Sequence, residues 1–409
     1  MKKLTGNFLW MAAANAVAAL CGIFVYIYLA RVLHPAGFGR LAYVQSLVFY
    51  LLNFVDLGLT TYGIREVSKD RKRVSEYVSE IVSFRLLIAL FLYLAVVALS
   101  YLFPQLAEIR ALLLETALLF FIAACATEWA FQGIEAMHMV LVSFALTAAL
   151  QISLVYIAVK GPADILKVPL AQYLAAIPIL LIFLRHFRFA FRIKGDDLIR
   201  MKRYLSSALV IWGISIFAQV YNGLDIILLG FFRSPEEVGC FTIARRAVGG
   251  ITLLMVFLVN AALPRLAFTF AGDRAGFTEA TRAFLKLTVS AALLILVPAV
   301  LFSDKIILLS VGEEYLAADL TMKIMLSSLL LVLINIPYST GLVAAGMERK
   351  VLAQTIGSAA VNVILNVVLM GRYGMVGAAV SFLAAELVAL CWILSIYKNK
   401  IGFSRTVVI

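Results

Sequence analysis

From Leu205 to Phe232 the chain carries a single charged side chain, Asp225. Coiled as a helix at about 1.5 Å per residue, that run exceeds a hydrocarbon core roughly 30 Å thick. A soluble domain has too little interior to hide many such runs, and here 64% of the residues are apolar and only 14% charged, against about 45–50% apolar in an ordinary soluble domain. In lipid every backbone amide must be satisfied within the protein, which leaves helices and closed barrels. Barrel strands alternate in polarity. These runs do not, so the expected fold is an all-α polytopic membrane protein.

Hydropathy marks about twelve spans, at 6–30, 40–62, 81–103, 112–133, 138–159, 163–184, 205–231, 240–264, 283–303, 320–345, 352–370 and 375–397. The start, Met1-Lys2-Lys3, mimics a secretory signal, but its apolar run continues to Ala30 and reads as the first permanent span. Of the 35 lysines and arginines, twenty-three fall in the segments on the N-terminal side of the membrane and eight in those opposite. Positive loops are retained inside, so both termini are expected in the cytoplasm, with the protein in the cytoplasmic (inner) membrane. The net charge of +12 is then a topology signal with some attraction to anionic lipid, and nucleic acid is excluded as a partner.

The basic stretch 185–204 separates six spans from six, giving an N-terminal lobe at 1–184 and a C-terminal lobe at 205–409. Across it the chain repeats at an offset of 200: Leu29 matches Leu229, Pro35 matches Pro235, Gly39 matches Gly239 and Val48 matches Val248. A parallel repeat of this kind predicts two pseudo-symmetric six-helix lobes about an axis along the membrane normal, around a central cavity.

Polar residues in spans avoid lipid, so they mark where such a cavity is wet. On the second span Gln45, Asn53, Asp56 and Thr60 share about 80° of helical arc. On the eighth, Thr242, Arg245, Gly249, Thr252 and Asn260 do the same, and the seventh adds Ser215, Gln219 and Asn222 with Asp225 beside them. Arg245 is the sharpest candidate, because an arginine at mid-membrane costs roughly 2.5–3.5 kcal/mol. Either it holds a phosphate through its planar donor fork, or it snorkels outward or pairs with Asp225 or Asp56 for structure. Arg246 points about 100° away and reads as a snorkelling residue, as does Arg85, one turn from its helix end. Asp56, Asp225 and Glu128 are intramembrane carboxylates suited to H⁺ or Na⁺ coupling, or, with Glu386, to structural ion pairs. The four cysteines form no Cys-x-x-Cys pair and the three histidines no metal spacing, so neither metal nor cofactor is expected. Pro178, Pro298 and Pro337 are expected to kink their helices.

The stretch Leu29-Ala-Arg-Val-Leu-His-Pro-Ala-Gly-Phe-Gly-Arg-Leu-Ala42, with Asp56-Leu-Gly-Leu and Tyr62-Gly-Ile-Arg-Glu66, resembles the polysaccharide transporters called O-antigen flippases. In the second half Asn222-Gly-Leu-Asp225, Ala244-Arg-Arg246, Leu263-Pro-Arg265, Gly312-Glu-Glu-Tyr315 and Tyr373-Gly-Met-Val-Gly-Ala-Ala379 continue the likeness. The resemblance implies the multidrug, oligosaccharidyl-lipid and polysaccharide exporter superfamily, whose cavity is lined by helices one, two, seven and eight. It implies movement of an undecaprenyl-diphosphate-linked oligosaccharide to the outer leaflet by alternating access, in surface polysaccharide synthesis. Arg245, with Arg31 and Arg65 at the cavity ends, would hold diphosphate, and Gln45, Asn53, Gln219 and Asn222 would meet sugar hydroxyls. Membrane lipids, a polysaccharide polymerase and glycosyltransferases are the implied partners. The alternatives are a drug/cation antiporter or a peptidoglycan-precursor flippase of the same superfamily, and then a membrane polymerase or glycosyltransferase. The short outer loops leave an enzyme little room for catalysis, so no catalytic residue is expected.

Overall fold

The computed structural model describes residues 2–191, 212, 223–272 and 274–400. The described residues are overwhelmingly helical and contain no strand. The chain forms two compact units, Met1–Gln219 and Val220–Ile409. The boundaries expected at 184 and 205 bracket a basic stretch that lies mostly outside the described residues. The first unit contains α1 (Lys2–Asp56), α2 (Leu59–Lys69), α3 (Val74–Leu102), α4 (Arg110–Ala117), α5 (Leu119–Cys125), α6 (Glu128–Gly133), α7 (Met137–Ala158) and α8 (Lys167–His186). The second contains α9 (Gly223–Phe232), α10 (Pro235–Gly272), α11 (Arg274–Leu301), α12 (Ser303–Ser310), α13 (Asp319–Ala344) and α14 (Glu348–Lys400).

Two elements are too long for one crossing, since 55 and 53 residues would reach about 80 Å if straight. Each folds back. In α1 the turn is at His34, φ 56° and ψ 170°, followed by Pro35. Tyr26 stacks edge-on against Phe38 at 6.2 Å and its hydroxyl donates to Gln45 Oε1 at 3.3 Å; a straight helix would hold Tyr26 and Gln45 roughly 28 Å apart. In α14 the turn is at Gly374, φ 56°, a backbone region open to glycine. Beyond it Trp392 returns so close to Gly357 that a Cβ there would fall 2.3 Å from the indole ring. Arg233 fixes the turn by donating to the Met370 and Gly371 carbonyls at 3.0 and 2.9 Å, and Glu237 accepts the Met375 N–H at 3.2 Å. The span expected at 6–30 and the part of 40–62 up to Asp56 are thus the two arms of α1, and those at 352–370 and 375–397 the arms of α14.

Among the described residues eight helical segments are long and apolar enough to cross a membrane, two of them folded as above, which makes this a multi-pass membrane protein. Apolar side chains face outward where water would forbid it: Phe91 is 71% exposed and Leu294 78%. Each unit has its own core. In the first, Trp129, Phe131, Phe183 and Phe187 pack with Leu59, Val67 and Ile81; in the second, Phe277, Phe284, Tyr338 and Tyr397 pack with Leu342 and Ile393. The repeat extends past the Pro35 and Pro235 turns. Short 3-10 turns at Pro104–Ile109 and Glu313–Ala318, and left-handed residues Glu135 and Gly346 before α7 and α14, occupy corresponding places, although α12 has no counterpart in the first unit and the single helix α13 stands where the first unit has α4, α5 and α6.

Two expectations need correction. The second span does not run unbroken to 62. Leu57 (φ 44°) and Gly58 (φ 79°) end it at Asp56, and Thr60 belongs to the separate helix α2, off the stripe of Gln45 and Asn53. The fourth span is likewise three short helices, broken at Leu118 and at Ala126–Thr127. Pro178, Pro298 and Pro337 lie inside α8, α11 and α13.

Candidate functional site

The break after α1 is built by Asp56. Its carboxylate accepts the Gly58 N–H at 3.2 Å, the Thr60 N–H at 3.1 Å and the Thr60 hydroxyl at 2.7 Å. It thereby supplies acceptors to the open N-terminal turn of α2, whose first amides have no partner within the helix. Behind it stands Arg85 of α3, only 2% exposed and ion-paired with Asp56. The snorkelling expected of Arg85 is therefore wrong: its side chain is buried in the first unit, and a stem reaching for the interface would have to abandon its Asp56 partner. Arg85 also donates to Thr60 Oγ1 at 2.8 Å and to the Ala126 carbonyl at 3.4 Å. Glu128 adds a second negative charge to the field at Arg85 and accepts the Ser143 hydroxyl at 2.9 Å.

The other candidates of the first unit lie apart from this cluster. Gln45 is buried at 3% exposure and meets Tyr26. Asn53 turns its amide back on the Phe49 and Tyr50 carbonyls of its own helix, while its backbone carbonyl accepts the Trp212 indole N–H at 2.8 Å. Arg31 is exposed. Arg65 is exposed as well, pairs with Glu66 at 3.0 Å and lies 5.5 Å from the Tyr62 ring centroid.

In the second unit Asp225 of α9 is 1% exposed. Its Oδ1 accepts from Asn366 Nδ2 at 2.8 Å, and its Oδ2 lies 3.9 Å from Arg245 Nε, a charge contact too long for a hydrogen bond. Arg245 rests over the Phe382 ring at 5.3 Å, a cation–π contact that holds the guanidinium plane. Asn366 continues to Asn362 Oδ1 at 3.0 Å. These two asparagines belong to a row on α14, Gln354, Ser358, Asn362 and Asn366, all at most 4% exposed and spaced four residues apart, hence on one helix face. That row was not anticipated, although the spacing test applied to the second and eighth spans would have found it in the eleventh. Thr252 is exposed and bonds back to the Val248 carbonyl, and Arg246 is exposed. Gln219, Asn222, Ser215 and the side chain of Asn260 lie outside the described residues.

The sequence profile described as polysaccharide biosynthesis protein matches residues 4–270. A candidate O-antigen transporter of Escherichia coli (strain K12) is 22% identical over 97% of this chain and 97% of its own. Among solved structures, the lipid II flippase MurJ in an inward closed conformation aligns at 15% identity and a TM-score of 0.74, covering 97% of this chain and 90% of that one. An inward-facing multidrug resistance MATE family transporter of the MOP superfamily aligns at 15% and 0.71, covering 97% and 98%. At such identities the two structures establish a shared fold and nothing about cargo.

Proposed function

The chain belongs to the polysaccharide biosynthesis protein family, and on that premise we propose that it is a flippase. It carries an undecaprenyl-diphosphate-linked oligosaccharide from the cytoplasmic to the outer leaflet of the inner membrane by alternating access. Sugars and a diphosphate cannot enter hydrocarbon unaided, whereas the prenyl tail never needs to leave it. The protein must therefore replace the hydration of the head group.

The observation that carries this reading is Arg245. Its side chain is only 14% exposed, with the buried Asp225 carboxylate beside it and an aromatic face beneath it. Guanidinium presents a planar fork that suits phosphate oxygens. Asp225 offsets its charge when no substrate is bound. An arriving diphosphate competes with Asp225 for Arg245, and a proton or sodium ion taken up by Asp225 relieves that competition, giving a gradient a way to bias the cycle. Amides of the kind carried by Gln45 and Asn53 suit sugar hydroxyls. The reading assigns no catalytic residue, and its partners are glycosyltransferases before the transfer and a polymerase after it.

The test is leaflet exchange of a fluorescent undecaprenyl-diphosphate oligosaccharide in proteoliposomes. Exchange should depend on the protein, disappear in Arg245→Ala and persist in part in Arg245→Lys. Full activity in Arg245→Ala removes that residue from the site. If the wild type moves lipid II or a cationic dye and leaves the oligosaccharide carrier in place, the cargo is that of the corresponding rival transporter.

A further inference from the structure

Two helix breaks in the first unit, 57–58 and 126–127, converge on one side chain. We infer that Arg85 is a positioning residue that locks these breaks together, so that the short helices beyond them, α2 and α6, turn as one body during transport. The motion rests on the flippase reading; the lock does not.

Each break leaves polar backbone without a helical partner inside a span, where that is costly. At the first, Asp56 takes up the open amides of α2. At the second, the carbonyl of Ala126, an extended residue between α5 and α6, accepts from Arg85 and from the Trp129 indole N–H at 3.1 Å. Arg85 reaches both because guanidinium spreads its donors across a rigid plane: one terminal nitrogen serves Asp56 and Thr60, the other Ala126. Its Nε is buried with no hydrogen-bond partner, a cost that a side chain serving only one of the breaks would have less reason to bear.

Beyond the breaks, α2 and α6 meet without slack. A Cβ on Gly63 would fall 2.5 Å from the Trp129 ring, and one on Gly133 would fall 2.7 Å from Val67. Arg71 of the following turn pairs with Glu135 past the end of α6 at 2.8 Å, and the Ser68 hydroxyl, which donates to the Ile64 carbonyl at 2.7 Å, lies 3.3 Å from the Gly133 carbonyl. Two helices in such contact cannot hinge separately. Asp56 is 39% exposed, so the lock can be reached from one side while Arg85 stays buried.

Cys125, the half-buried last residue of α5, reports on the second break. With the full chain in proteoliposomes and the other three cysteines replaced by serine, labelling by a membrane-permeant maleimide should accelerate at least about tenfold in Arg85→Gln. It should accelerate similarly in Asp56→Asn, although Asp56 belongs to the other break, and the double variant should add little to either. Arg85→Lys, which keeps the charge but lacks the fork, should label faster than wild type. A chain keeping only Cys240, buried on α10, controls for general loosening and should stay slow in every background. If Asp56→Asn leaves Cys125 as slow as in the wild type, the breaks are independent and the lock is refuted. If Cys125 opens while leaflet exchange proceeds at the wild-type rate, the lock stands and its part in the motion is refuted. Absence of exchange in the wild type would count against the flippase reading alone.

Discussion

Removing Arg245 and removing Asp225 should have unequal costs. The two charges stand 3.9 Å apart, and at an effective dielectric constant of about 20 their attraction is worth about 4 kcal/mol. Arg245→Ala leaves the Asp225 carboxylate buried with Asn366 as its one hydrogen-bond donor among the described residues, and stranding one member of a buried pair costs roughly 3–5 kcal/mol. Asp225→Asn removes the charge but keeps an oxygen for Asn366, and the remaining cation, partly exposed, can relax outward; its cost should be about 1–2 kcal/mol. The double variant should therefore be no less stable than Arg245→Ala alone. Reversible unfolding in detergent or bicelles, run as a double-mutant cycle, reads this directly. Additivity within about 0.5 kcal/mol would show that Asp225 is neutral at the assay pH and that the charge contact contributes nothing. That outcome would also remove the competition on which the coupling scheme depends.

Gly357→Ala should lower stability by about 1–3 kcal/mol, because the new methyl meets Trp392 at 2.3 Å, whereas Gly250→Ala on α10, where nothing lies within 4 Å, should be neutral or stabilising. A thermal-shift comparison of the two tests whether α14 folds back flush on itself. Arg233→Ala removes two charge-assisted bonds to the Met370 and Gly371 carbonyls and should cost about 2–4 kcal/mol in total. Amide exchange near residue 374 should rise, and unchanged protection there would show that the turn needs no clamp.

Hydropathy was sufficient to place most spans, because lipid rewards long apolar runs and turn residues punctuate them. The breaks at 57–58 and 126–127 were not visible. Asp56-Leu-Gly-Leu and Ala124-Cys-Ala-Thr127 stay apolar enough to pass any window average, while the group that makes both breaks tolerable, Arg85, comes from elsewhere in the fold. Arg85 was misjudged for the same reason: distance from a helix end says where a side chain could reach, but its partner on another helix says where it stays. The pairing of Arg245 with Asp225 was one of the alternatives the sequence left open, and only the fold brings the two together. The row from Gln354 to Asn366 was legible in the spacing alone.

That row also bears on how the protein is made. Asn366 meets Asp225 across 141 residues of chain, so α9 leaves the ribosome long before the asparagine that solvates its carboxylate exists. The arm of α14 that bears four buried polar side chains is a poor inserter by itself. It has reason to enter lipid as a hairpin with the arm that follows, docking onto a half already waiting. A chain cut short before Glu348 would strand Asp225 in that unfinished state, which makes the last hairpin the closing step of biogenesis and incomplete chains ready prey for membrane quality control.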